Sequence, residues 1–455
     1  MKRRLTGKEM LLVSSMLFGM FFGAGNLIFP AALGAAAGQN IVFAFPGMFI
    51  TAVGLPLLAV AALGISRSDS VLVMARRAGK HFGIVFSAML YLTIGPLFAV
   101  PRCAGTSFSI AAVALDHRID PSAALAVFSL AFFLAVLLLS LSPGKLMIRI
   151  GKILNPIFLV LLFCLMAAAL IHPVSSLSMV LPAEGYLAPG SAFANGFLEG
   201  YNTLDALAGL AFGIVIVSTI RNAGVEEPVC IASETVRSGV FSCLFMGIIY
   251  FLLSLVTASS ASLCGSCTNG SEILGVVARH YFGNAGTWLL FAIVTMACLK
   301  TAIGLVTSCA EAFVQMFPHG PAYKTWTIIF VILSTGLANM GLTSIVAYCI
   351  PVLMLLYPPA IVLIVLSLFG RFFHNERRVF IAAMSATLTT ALLDFFRALI
   401  PFLNSASAFG QALALVDAAA GRWLPLYEAG LGWVLPAVIG FAVGLILCRI
   451  KPKNA

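Results

Sequence analysis

Runs of about twenty apolar residues follow one another along nearly the whole chain, and each is long enough to cross a bilayer as a helix. A water-soluble core has no place for so many. Of the 455 residues, 61% are hydrophobic and 9% charged, against roughly 25% charged in a soluble domain. The solvent that suits this surface is lipid, where every backbone N–H and C=O must find its partner inside the segment. The expected fold class is therefore an all-α polytopic membrane protein. About twelve transmembrane helices are read at 11–33, 41–64, 82–106, 123–142, 150–172, 193–220, 239–259, 286–314, 326–340, 344–369, 379–400 and 431–449.

The net charge of +10 would suggest a nucleic-acid partner in a soluble chain, but here loop placement explains it. With the N-terminus assigned to the cytoplasm, twenty of the 26 Lys and Arg fall in inner segments. Four fall outside (Arg118, Arg279, Arg397, Arg422), and two, Arg102 and Lys300, lie within spans. This bias follows the positive-inside rule, with both termini cytoplasmic and an even number of spans. Lys2, Arg3 and Arg4 before an apolar run resemble a signal peptide, but the run is long and many more follow, so it is read as the first span.

Several function classes drop out. No GxxxxGK[ST] loop is present, so no ATP-driven motor resides in the chain. Metal-binding His spacings, GxSxG, HExxH and a TVGYG filter are also missing, so neither an enzyme nor a channel of those types is indicated. No obligatory protein partner is evident. Most of the ten Cys sit inside apolar runs and act as small hydrophobes. Cys264 and Cys267 share an outer loop, as a staple or as two free thiols.

Two spans are interrupted. The first, MLFGMFFGAGNLIFPAALG, places Gly19, Gly23 and Gly25 together, followed by Asn26 and Pro30. Glycine there permits close helix packing, but with a polar Asn beside it the cluster points to an unwound segment. Exposed backbone at that depth persists only where it lines a cavity or is buried in protein. The sixth span is interrupted by Gly196, Gly200, Gly209 and Gly213 and carries Glu199 and Asp205. Intramembrane carboxylates are costly and mark function, although Glu199 at the outer end also fits plain solvation. The two broken spans stand five apart. An odd number inverts the second unit, and paired broken helices in inverted halves mark the binding site of a secondary transporter. Half-helix N-termini suit a carboxylate and unwound carbonyls suit an ammonium or cation, so a zwitterionic amino acid fits both.

At these residues the sequence resembles the bacterial branched-chain amino acid:cation symporter family. The likeness covers nearly the whole chain: FFGAGNLIFP (21–30), ITAVGLPLLAVAALG (50–64), GPLFAVPRCAGTSF (95–108), SPGKLMIRIGKILNP (142–156), NGFLEGYNTLDALAGLAFGIVIV (195–217), ACLKTAIGLVTSCAEAF (297–313) and PVLMLLYPPAIVL (351–363). The resemblance implies a single domain, 1–455, with the five-plus-five inverted repeat of the leucine-transporter fold. The first repeat would be 10–172, the second 193–369, and 379–449 would hold two added C-terminal spans. It implies import of leucine, isoleucine and valine across the bacterial inner membrane, with Na+ (or H+) as coupling ion and no other cofactor. Gly23, Ala24, Gly25 and Asn26 would form the substrate-facing break of span one, and Tyr201, Thr203, Leu204 and Asp205 that of span six. A sodium site would join Gly19 and Phe22 to Ala297, Lys300 and Thr301 on span eight.

Two positions depart from the family pattern. Lys300 stands where a neutral residue is expected; its ammonium either replaces sodium, giving a proton-coupled or cation-independent neutral amino acid carrier, or snorkels away from the site. Ser109 replaces an expected Glu, which leaves Arg102 to find another partner, Asp205 or Glu311. Residues 271–282 form a short amphipathic helix on the outer side, suited to a surface or lid role. An amino-acid sensor or a channel are the competing classes, and saturable uptake with counterflow separates a carrier from both.

Overall fold

The computed structural model describes residues 4–66, 68, 70–115, 120–141, 159–265, 267–403 and 408–450. The motif at 142–156 and the start of the expected fifth span lie outside the described residues. Among the described residues every regular element is helical. The helices are α1 (Gly7–Phe21), α2 (Gly25–Ala37), α3 (Ile41–Phe49), α4 (Leu55–Ser66), α5 (Val71–Ala75), α6 (Lys80–Leu92), α7 (Ala99–Ala112), α8 (Pro121–Leu141), and α9 (Leu159–Ile171). The second half holds α10 (Pro189–Asn202), α11 (Asp205–Asn222), α12 (Pro228–Ser259), α13 (Gly270–Met316), α14 (Tyr323–Ala338), α15 (Leu342–Phe369), α16 (Arg377–Leu399), α17 (Ala408–Trp423) and α18 (Val434–Ile450). Among the described residues seven helical stretches are long and apolar enough to cross a membrane, and Leu159–Ile171, Tyr323–Ala338 and Val434–Arg449 are shorter apolar helices.

The helix ends follow local chemistry. At α1, Thr6 and Glu9 form a reciprocal capping box: Thr6 Oγ1 accepts from the Glu9 N–H, and Glu9 Oε2 accepts from the Thr6 N–H at 2.9 Å. At α13, Asn269 Oδ1 accepts from the N–H groups of Ser271 and Glu272, both at 3.1 Å. On α8, Val127, Leu130, Leu134 and Leu138 recur every three or four residues and all stand exposed. That is an apolar stripe facing outward, as lipid as solvent requires.

Contacts between loops keep to the two sides that the Lys and Arg bias defines. On the expected inner side, Arg77 donates to Asn375 Oδ1 at 3.0 Å. On the outer side, Asn40 Nδ2 donates to Tyr186 O, Ser175 N to Ser259 O, and Arg279 Nη1 to Val113 O. Cys264 and Cys267 are joined as a disulfide, so the loop carries a staple.

Three expectations need correction. The ninth span, expected at 326–340, is Tyr323–Ala338, because Gly341 adopts φ +81° and the next helix starts at once. The outer helix at 271–282 is present as a short separate helix, but it is not a surface piece. It meets the eighth span at Gly283, whose φ +64° and ψ −165° are not helical, so the stretch Gly270–Met316 is two helices joined at a break. Its Ile273, Leu274, Val277 and Ala278 are buried against α2 and α7, so amphipathicity reflected packing on protein. The connection from 400 to 431, read as loop, contains α17; its Asp417 and Arg422 had lowered the apolar signal.

Candidate functional site

The two interruptions lie side by side in the core. The first span breaks at Phe22–Ala24, between α1 and α2, and the sixth at Thr203–Leu204, between α10 and α11. A narrow cavity opens between them. It is lined by Gly23, Ala24, Gly25 and Asn26 from the first break and by Thr203, Leu204 and Asp205 from the second. The third span supplies Ile94, from a widened π-helical turn at Thr93–Leu97, then Ala99, Arg102 and Cys103, one face of α7. Thr301 and Leu305 of α13 close one wall, and Phe21, Ala208 and Phe212 add apolar surface.

The first break is capped from within. The Gly23 N–H donates to Asn26 Oδ1 at 2.6 Å, which turns the Asn26 amide nitrogen toward the sixth span. Nδ2 donates to both carboxylate oxygens of Asp205, at 3.1 and 2.9 Å, and touches the Tyr250 hydroxyl. The Tyr250 O–H, on α12, in turn donates to Asp205 Oδ2 at 2.7 Å. Asp205 is 2% exposed and sits at the first position of α11, where the helix dipole favours a negative group.

The second break is capped from outside. Arg102 Nη1 donates to Asn202 O at 2.6 Å and Nη2 to Thr203 O at 3.3 Å. These carbonyls close the C-terminal end of α10, where orphan acceptors and the dipole both favour a cation. The guanidinium lies over the Phe29 ring, 5.0 Å from its centroid, and its Nε has no hydrogen-bond partner among the described residues. It passes directly beside Gly25: a Cβ there would sit 2.6 Å from Nη2 and 3.0 Å from Thr203 O. Leu204 takes φ +68°, ψ 6°, a left-handed conformation that costs a non-glycine residue about 1–3 kcal/mol.

The arrangement can hold opposite charges a short distance apart. An ionised side chain at mid-membrane costs about 2.5–3.5 kcal/mol on insertion scales, and more in simulation. Here a carboxylate and a guanidinium lie within electrostatic reach of each other, yet each is held by neutral groups. Both keep capacity for a ligand.

The family described as "Branched-chain amino acid transport protein" matches residues 6–451. The chain belongs to that family. It is 45% identical to the branched-chain amino acid permease BrnQ of Lactobacillus delbrueckii subsp. lactis, over 100% of both chains. It is 38% identical to BraB of Bacillus subtilis, over 98% of this chain and 97% of that one, and 37% identical to BrnQ of Escherichia coli, over 100% and 99%. Among solved structures it matches Mhp1, a nucleobase-cation-symport-1 family transporter, in a closed conformation with bromovinylhydantoin bound. The TM-score is 0.57 at 14% identity, covering 99% of this chain and 94% of that one. The inward-facing conformation of Mhp1 matches with a TM-score of 0.59 at 13% identity, covering 97% and 91%. At those identities the likeness concerns the fold alone.

Within this family member, seven of the eight residues expected at the substrate site line the cavity. Tyr201 does not: it stacks on Tyr357, ring centroids 4.0 Å apart, behind the break. Gly25, Asn26 and Asp205 belong to the first turns of α2 and α11 and not to the unwound segments themselves. Of the five residues expected at a cation site, only Thr301 reaches the cavity, where its methyl and hydroxyl lie against Gly23. Gly19 and Ala297 are half-buried, Phe22 is buried, and none of the three lines the cavity. Lys300 is half-buried and lies off the cavity wall. The expected partners of Arg102 are corrected: it bonds backbone carbonyls, not Asp205, and Glu311 is exposed. Glu199 is half-buried off the cavity and accepts from Asn202 Nδ2 at 3.2 Å. Tyr250 was missed by sequence reading; its only signal was a hydroxyl inside the apolar run GIIYFLLSL.

Proposed function

We propose that the chain is a secondary active transporter that imports leucine, isoleucine and valine by cation-coupled symport, sodium foremost, through alternating access. The observation that carries this reading is the cavity between the two breaks. It offers Asp205 to an ammonium, the Arg102 guanidinium and the first N–H groups of α2 to a carboxylate, and apolar wall to an aliphatic side chain. The names of the relatives point to the same substrates. One methylene in such a wall is worth about 1–3 kcal/mol, so all three amino acids fit one site.

Sodium is favoured by Thr301. Its hydroxyl hydrogen is spent on Ala297 O at 3.1 Å, which leaves its lone pairs turned toward the first break. The twelve-span arrangement follows the same reading: 10–172 and 193–369 as inverted repeats and 379–449 as two added spans. The breaks five spans apart and the likeness to Mhp1 support it. Both termini lie in the cytoplasm of a bacterial inner membrane, as the Lys and Arg bias favours.

The test is uptake of labelled leucine into proteoliposomes under an imposed sodium gradient or an imposed pH gradient. Concentrative uptake driven by sodium and competed by isoleucine and valine is expected. Absence of saturable uptake and counterflow would remove the carrier reading; uptake driven only by the pH gradient would remove sodium.

A further inference from the structure

Tyr250 is 0% exposed, lies in the C-terminal half of α12, and belongs to neither broken span. Its hydroxyl nonetheless meets both. It donates to Asp205 Oδ2 at 2.7 Å on α11 and receives the Asn26 amide of α2. Asn26 is itself pinned by the Gly23 N–H. One hydroxyl therefore closes a chain running from the backbone of the first break, through Asn26, to the first residue after the second break. The Asp205 carboxylate takes three hydrogen bonds from two neutral side chains, Asn26 to both oxygens and Tyr250 to Oδ2. These fix its plane while leaving its charge uncompensated within the network.

We propose that Tyr250 is a positioning residue of the transport site, acting through Asp205: its hydroxyl holds the carboxylate in the orientation that receives the substrate ammonium and ties both breaks to α12. This rests on the amino-acid reading of the cavity. A second hydrogen bond between α12 and α2 supplies the contrast. Ser254, one turn beyond Tyr250, donates to Pro30 O at 2.9 Å and touches neither Asp205 nor the cavity. It joins the same two helices without addressing the site.

The experiment is leucine binding to purified protein for wild type, Tyr250→Phe, Asp205→Asn, the double variant and Ser254→Ala. Tyr250→Phe keeps the buried ring and deletes only the hydroxyl. It should raise the leucine Kd about tenfold or more, the fold-change expected from losing a hydrogen bond to a charged group. Added to Asp205→Asn, measured at high leucine, it should change Kd by less than about twofold, since the hydroxyl acts through that carboxylate. Ser254→Ala should leave Kd within about twofold of wild type. Equal losses from Tyr250→Phe in both backgrounds, or from Ser254→Ala and Tyr250→Phe alike, would assign Tyr250 to packing and overturn the proposal. So would a Tyr250→Phe that binds like wild type. A wild type that binds none of the three amino acids overturns the substrate reading itself, a result distinct from all of these. If Tyr250→Phe does not purify folded, Tyr250→Met, which also fills the buried site without a hydroxyl, enters the same cycle with the same expectation.

Discussion

The two helix breaks do the same job with different materials. The first turns on two small residues, Gly23 and Ala24, after Phe22, and caps itself through Asn26. The second contains no glycine; it bends at a left-handed leucine and is capped by an arginine from another span. A break that closes on its own side chain is locally encoded. One that needs a guanidinium 100 residues away in sequence exists only once the third span has docked. The second break should therefore be the more fragile, and its fragility should pass through Arg102.

The sharpest way to break this comparison is Arg102→Lys. A lysine keeps the charge but cannot fork across two carbonyls, and its loss leaves buried acceptors open. Leucine uptake should fall to under about a hundredth of wild type, the scale of breaking a buried charged network. Near-normal uptake would mean that the second break stands without its cap. Next come the two glycines. Gly25→Ala drives a methyl into the Arg102 guanidinium and should raise the leucine KM about tenfold, an overpacking effect of about 1–3 kcal/mol. Gly23→Ala meets only the Thr301 side chain, its Cβ 3.0 Å from the Thr301 methyl. It should act instead on the sodium concentration that half-saturates uptake, and identical phenotypes for the pair would erase the division of labour. Leu204→Gly relieves the left-handed strain but loses a wall side chain, so KM should rise about threefold with folded yield preserved. The smallest effect is expected from Lys300→Thr, which lies off the cavity: sodium and pH dependence should stay within about twofold. A gain of sodium dependence there would instead make the ammonium a stand-in for the ion.

How much of this was open to sequence reading differs by kind of residue. The breaks were legible because glycine clusters and a buried Asp violate the rules of a lipid-spanning helix locally, at Gly23–Asn26 and at Asp205. Membership of the family was legible through ordered stretches of matching residues. The partner of Arg102 was not, because a backbone carbonyl has no residue type: any sequence at 202 and 203 would have offered it. Tyr250 was hidden because its two partners lie 224 and 45 residues away. Lys300 and Thr301 could not be told apart by spacing alone, since neighbours on a helix point about 100° apart and only the packed register decides which faces the cavity. The α17 helix was passed over because its charged residues hide it from an apolar window, although such a helix needs only one face to pack.

Tyr250 and Thr301 sit on two long helices, α12 with 32 residues and the part of α13 beyond the break at Gly283. At 1.5 Å per residue α12 is about 48 Å long, and the part of α13 beyond Gly283 about 50 Å, against a hydrocarbon layer of about 30 Å. Such rods reconcile their length with the layer by leaning or by standing out into the headgroups. The threonine that lines the cavity and the hydroxyl that bonds Asp205 thus ride on shafts whose inclination the lipids help to set. Acyl-chain length becomes a term in how this transport protein works, felt at its centre through the slope of two helices.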